Sequence, residues 1–284
     1  MDKKQLTELK LQATRCRLNV LRMVRAGGHG HIGGAFSAMD IVTALYFYKM
    51  NVDPKNPKME DRDRFILSAG HKCLAQYAAL AEKGFFPKEV LDTYGSLGSH
   101  IPGHPDMHKL PGVEANTGAL GHGLSIATGM ALSMRLDNKK SKVYVVMGDG
   151  ELAEGSNWEA AAAAAHHKVN NLVAFVDFNG LQISGRVQDV MNMTPIADHF
   201  KAFGWDTVDI DGNDMAQVVD ILDRAPLSDK PTMVVAHTVK SKGLSFGEND
   251  VAFHFWNATE ELLKQAEQEL GDLAASYEKE LKGE

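Results

Sequence analysis

The stretch Val143–Gly185, VYVVMGDGELAEGSNWEAAAAAAHHKVNNLVAFVDFNGLQISG, decides the fold of this chain. The apolar and β-branched residues Val143 to Met147 predict a strand, which runs into Gly148-Asp149-Gly150-Glu151. An alanine-rich helix follows, and a second apolar strand, Leu172 to Val176, ends at Asp177-Phe178-Asn179. One βαβ unit thus places a polar cluster at the carboxyl end of each strand, the edge where open α/β sheets bind ligands. Asp149 offers a hard carboxylate, and Asn179, 30 positions later, an amide oxygen. Leu181 adds a backbone carbonyl where the chain turns at Asn179-Gly180. Three such oxygens half-fill an octahedral Mg²⁺ site and leave room for phosphate oxygens and water. Gly148 and Gly150 let the backbone approach a phosphate, whose charge the following helix N-terminus favours.

Upstream, Leu6 to Arg25 has helical periodicity and a stop at Gly27. The run Gly27-Gly28-His29-Gly30-His31-Ile32-Gly33-Gly34 has too many glycines for helix or strand, which predicts a loop that lets backbone crowd a ligand. Its two histidines read equally well as exposed loop residues or as ligand-facing ones. Ser37 with Asp40 predicts a capping box that opens a helix through Tyr48. The short strand Phe65-Ile66-Leu67-Ser68 leads through Ala69-Gly70 to His71, at a strand-to-helix junction on the same ligand edge. Ser99 to Pro105 is an irregular loop holding His104, and Asn116 to Gly123 opens a helix that runs to about Arg135. His166 and His167 fit a helix C-terminus, which favours cations.

Downstream of Gly185 the alternation continues, with helix Pro195–Phe203, strand Trp205–Ile210, helix Asp214–Arg224 and strand Pro231–His237. A loop from Lys240 to Trp256 carries His254, and Glu260–Lys282 is a charged amphipathic helix. Strands alternating with helices predict an α/β fold, a mostly parallel sheet with helices on both faces. The 284 residues are expected to form a single domain, 1–284, with a C-terminal helical extension at about 259–282. An apolar fraction of 44% and a charged fraction of 24% are those of an ordinary globular protein. A net charge of −7 argues against nucleic acid as a partner. Two cysteines indicate no disulfide framework, and no apolar run is long enough for a membrane span or a leader, which predicts a cytoplasmic protein.

Asp149 and Asn179, one helix and one strand apart, resemble the thiamine diphosphate signature, in which GDG is followed about thirty residues later by Asn. The end of the motif, Asp177-Phe178-Asn179-Gly180-Leu181-Gln182 with Ser184-Gly185, looks like the transketolase form. Leu67-Ser68-Ala69-Gly70-His71 matches that family's LS-x-GH pattern, and Pro102-Gly103-His104-Pro105 its Pro-Gly-His-Pro segment. The Gly-His run after the first helix is similar too. The resemblance covers nearly the whole chain. It implies a thiamine diphosphate-binding fold, with the cofactor and Mg²⁺ as ligands (Ca²⁺ or Mn²⁺ as substitutes).

Residue by residue, the resemblance makes Asp149, Asn179 and Leu181 the metal ligands. It lines the cofactor with His71, Gly118, Ala119, Leu120, Gly148, Gly150, Glu151, Asn179 and His254. It assigns catalysis to His29, His71, His104 and His254, with His29 facing substrate, and it aims Glu154 at the acids of a partner chain. Read from its position alone, Glu154 is equally a solvated first-turn acid. Ala119 and His122 stand where the family usually has proline and glutamine, which leaves His122 without a role.

Full transketolases carry a pyrimidine-binding domain and a third domain beyond the region matched here. The chain is therefore expected to be the N-terminal subunit of a split enzyme. With a C-terminal subunit it would form an α2β2 heterotetramer whose substrates are sugars or sugar phosphates. Rival readings are a deoxyxylulose-phosphate synthase-like or 2-oxoacid dehydrogenase-like component, or a non-catalytic Mg²⁺-diphosphate-binding module.

Overall fold

A computed structural model describes residues 1–283. Five parallel strands form the main sheet: β2 (Arg64–Leu67), β3 (Val143–Gly148), β4 (Leu172–Phe178), β5 (Asp206–Asp211) and β6 (Thr232–His237), in the order β2-β3-β4-β6-β5. A two-stranded antiparallel ribbon joins β1 (His29–Gly30) to β7 (Trp256–Asn257). The helices are α1 (Lys3–Gly27), α2 (Ile32–Ser37), α3 (Met39–Ala44), α4 (Cys73–Lys83), α5 (Gly123–Leu136), α6 (Gly155–His166), α7 (Val187–Val190), α8 (Ile196–Phe203), α9 (Met215–Arg224) and α10 (Glu260–Lys282).

The central strands β3, β4 and β6 are buried along nearly their whole length because both faces of the sheet are covered there. Side chains alternate between faces, so Tyr144 and Val146 of β3 enter one core while Val143, Val145 and Met147 enter the other. The first core is packed by α1, α3, α4, α9 and α10, the second by α5, α6 and α8. At the β5 edge Asp206, Asp209 and Asp211 place charges along a row of free backbone groups, which discourages pairing with another chain. Among the described residues no helix is long and apolar enough to cross a membrane.

Two local expectations change. The glycine run holds both a strand, β1, and a helix, α2, because tertiary packing overrides glycine's low propensity. Ser37 and Asp40 form no capping box. Ser37 ends α2 and donates to Asp177 Oδ2 at 2.6 Å. Asp40 accepts two bonds from Arg17, at 2.7 and 3.1 Å, and one from Asn213 at 2.9 Å. The expected helix through Tyr48 is interrupted at Ala38 and finishes as a π-turn, Leu45–Lys49.

The Arg17–Asp40 pair is buried between α1 and α3. Asp40→Ala is expected to cost about 3–5 kcal/mol, because it strands a buried guanidinium. The uncharged pair Arg17→Met/Asp40→Leu should recover most of that loss. Urea unfolding of both variants checks this.

Candidate functional site

Because every strand of the main sheet is parallel, its carboxyl ends share one edge, and the segments leaving β2, β3, β4 and β6 meet there. They surround a cavity of about 290 Å³ lined by His31, His71, Lys72, Gly118, Leu120, Gly148, Asp149, Gly150, Glu151, Asn179, Leu181, Gln182, Lys240 and His254, among others.

Asp149 follows β3 and is buried. Its Oδ1 accepts from the Gly150 N–H at 2.8 Å and its Oδ2 from the Gly180 N–H at 2.6 Å, which ties the two halves of the motif together. Asn179 donates from Nδ2 to Ser37 Oγ at 3.3 Å, while its Oδ1 accepts from the Leu181 N–H at 3.1 Å. The Leu181 carbonyl accepts from Lys240 Nζ at 3.2 Å. Among the described residues no cluster of three His, Cys, Asp or Glu forms a metal cage. The oxygens available for a cation are therefore one carboxylate, one amide and one carbonyl, a set suited to Mg²⁺ shared with phosphate. Gln182 lines the same cavity, and its buried Nε2 lacks a protein acceptor, as expected of a donor aimed at a ligand.

Glu151 lines the cavity, as expected, and is also held by the protein. Its Oε1 accepts from the Gly121 N–H at 2.8 Å and from the Ser68 hydroxyl, and its Oε2 accepts from the Gly148 N–H at 3.0 Å. The carboxylate is engaged by the protein itself and binds the ends of β2 and β3 to the loop before α5.

Three histidines converge. The His31, His71 and His254 rings lie 5.2 to 5.5 Å apart, centre to centre. Sequence alone did not single out His31, and His29 was expected to face substrate. His29 is absent from the cavity wall. It stacks on Phe255 at 5.2 Å and meets Tyr94 edge-on at 6.1 Å, because pairing of β1 with β7 fixes it there. The chain turns at His31, which precedes α2 and enters the site. His104 is exposed and lies against Gly118 at the rim, and Ala119 is exposed outside the cavity wall. Glu154 is exposed at the start of α6, also outside the cavity.

Two lysines also escaped sequence reading. Lys240 and Lys72 are almost wholly buried, and both line the cavity. Gly33 and Gly34 admit them. A Cβ on Gly33 would lie 3.0 Å from Lys240 Cγ and Cε, and one on Gly34 would lie 2.9 Å from Lys72 Cγ and Cε. Only the geometry exposes this pairing, since the lysines are 168 residues apart and carry no motif.

Burial sets the protonation states. It pushes the His71 ring down to about 2, with Lys72 and the other histidines adding repulsion. Burial likewise takes His31 and His254 to about 4, aided at His31 by His104 and at His254 by Lys240. All three rings are neutral at pH 7. Burial raises the Asp149 carboxyl to about 6 against the pull of Lys72, and lowers Lys240 to about 8.

Residues 9–278 match the family described as transketolase, thiamine diphosphate binding domain. An apulose-4-phosphate transketolase subunit from Phocaeicola vulgatus is 42% identical over 280 residues, 98% of this chain and 99% of that protein. The 6-deoxy-6-sulfo-D-fructose transketolase subunit of a Clostridium species is 42% identical over 267 residues, 94% of this chain and 97% of that protein. The crystal structure of Campylobacter jejuni transketolase superposes with a TM-score of 0.87 at 30% identity, covering 99% of this chain. The chain spans 47% of that longer protein.

The ordinary histidine pKa of 6.5 lies above the folded value of His71, so the unfolded chain binds more protons below pH 6.5 and stability falls as the pH is lowered. The slope from this ring is at most about 1.4 kcal/mol per pH unit. The melting temperature of the cofactor-free chain should drop between pH 7 and pH 5, and His71→Asn should flatten that drop.

Proposed function

The chain belongs to the transketolase family through its thiamine diphosphate-binding domain, and we propose that with a companion subunit it moves a two-carbon ketol unit from a ketose to an aldose. The observation that carries this reading is the convergence of Asp149, Asn179 and Leu181 with His31, His71 and His254 on one cavity. Asp149, the Asn179 amide oxygen and the Leu181 carbonyl would hold Mg²⁺, with the phosphates and water completing its shell. Gly118, Leu120, Gly148, Gly150 and His71 would line the cofactor. When bound, thiamine diphosphate would supply the carbon nucleophile that lets a carbon–carbon bond of the ketose break and a new one form to the aldose.

The chain's own work is to bind, orient and move protons. A neutral imidazole has one donor and one acceptor nitrogen, so His31, His71 and His254 can each polarise a sugar oxygen or pass its proton. Lys240 Nζ lies 3.2 Å from His254 Nδ1 and favours the tautomer in which that nitrogen accepts and Nε2 carries the proton. His104, at the rim beside Gly118, would bind sugar hydroxyls. His29 acts through Phe255, supporting the wall near His31. At about 290 Å³ the cavity is near the small end for a ligand pocket, which fits a cofactor shared with a second surface. The companion would bring the pyrimidine-binding domain, with exposed Glu154 facing it, in an α2β2 assembly. Two buried free cysteines suit a cytoplasmic setting. The names of the two relatives point to specialised ketoses bearing an anionic group, and we extend that class to this chain.

Calorimetry with thiamine diphosphate and Mg²⁺ tests the anchor. Asp149→Ala should weaken binding by more than the roughly 10–100-fold that loss of an outer-shell partner costs. Unchanged affinity in a folded variant would remove the metal assignment. In turnover assays the chain alone should be inactive and should gain two-carbon transfer once the companion is added. Within that complex, His31→Ala should lower turnover more than His29→Ala while leaving cofactor affinity within about threefold, since only His31 lines the cavity.

A further inference from the structure

Lys72 is 3% exposed, and an ammonium so deeply buried needs acceptors for all three of its N–H groups. Among the described residues it has one, Asp177 Oδ2 at 2.6 Å. Asp177 is itself shared, because its Oδ2 also accepts from Ser37 and its Oδ1 from Thr238. The rest of the Lys72 head group faces the cavity that it lines, 3.4 Å from where a Cβ on Gly148 would stand. That places it at the GDG turn, among the backbone groups that would meet a phosphate. Its stem runs over Gly34, at a distance that leaves no room for a side chain there.

We propose that Lys72 is a direct anchor for the cofactor's diphosphate, with Gly34 the residue that admits it. The inference rests on the cofactor reading above and adds to it a charge-assisted bond independent of the metal ligands. Lys240 comes to the same cavity over Gly33, so the two glycines carry two cations to one anion site from different directions. A Lys72 that only neutralised Asp177 would have no reason to line the cavity or to keep donor capacity on that side.

The test is calorimetric titration of the full chain with inorganic pyrophosphate and with thiamine diphosphate, each with and without Mg²⁺. Lys72→Met should weaken both ligands by about tenfold or more, the usual scale for a hydrogen bond to a charged group. Where Lys72→Met fails to fold because Asp177 is left unpaired, Lys72→Met/Asp177→Asn removes both charges and should show the same loss. Gly34→Ala should weaken binding by displacing the lysine stem, and adding it to Lys72→Met should cause little further loss. A folded Lys72→Met or Lys72→Met/Asp177→Asn protein that binds pyrophosphate as tightly as the unaltered chain overturns the proposal. Failure of the unaltered chain to bind thiamine diphosphate even with its companion subunit present overturns the cofactor reading itself, which separates the two failures.

Discussion

A carboxylate at the end of a central strand, sealed from water, must be surrounded by donors, and Asp177 imposes that demand on this molecule. It is fully buried at the end of β4, and it gathers Ser37 from α2, Lys72 from the turn before α4, and Thr238 from the segment after β6. Each of those segments carries a wall of the cavity. The polar demand of one side chain thus fixes the relative positions of elements that the apolar cores alone would leave free to slide. Asp149 repeats the arrangement at β3, where it draws in the Gly180 backbone. Glu151 does so for the loop before α5.

Buried charge sets the chemistry as well as the shape. Lys72 and Lys240 offset much of the negative charge that Asp149, Glu151 and the adjoining Asp177 bring to the floor of the site. The histidines above it lose their protons to burial and to the nearby lysines. The result is a layered site, with charged groups below and neutral hydrogen-bonding rings above.

Local pattern made some of this legible from sequence. The five main strands and the GDG and Asn179 ends could be read because apolar runs and turn residues act over a few positions. Helix boundaries shifted by a few residues where caps differ, as at α5, which begins at Gly123. The glycine run misled because five glycines disfavour a helix unless something gains from close approach, and the gain lies in two lysines remote in sequence. His29 and His31 are equivalent as letters. Pairing of β1 with Trp256–Asn257 is what tells them apart. Ser37 and Asp40 have the spacing of a cap, but partners in the core, Asp177 and Arg17, claim them.

The first and last long helices lie side by side. Leu263, Ala266 and Leu270 of α10 share one core with Leu9, Ala13 and Cys16 of α1, and ion pairs from Arg15 and Arg25 reach Glu278, Glu260 and Glu267. β7 meets β1 across a similar sequence distance, and Lys240 and His254 lie between β6 and β7. Contacts of such long range raise the contact order, which slows folding because loop closure precedes the reward. During synthesis the largest core therefore cannot close fully until α10 has been made. Until then the stripe of α1 that faces α10 stays open, while α3 and α4 can already pack against the rest of the helix. The same order of synthesis brings Lys240 and His254 last to a cavity whose other walls come from earlier segments.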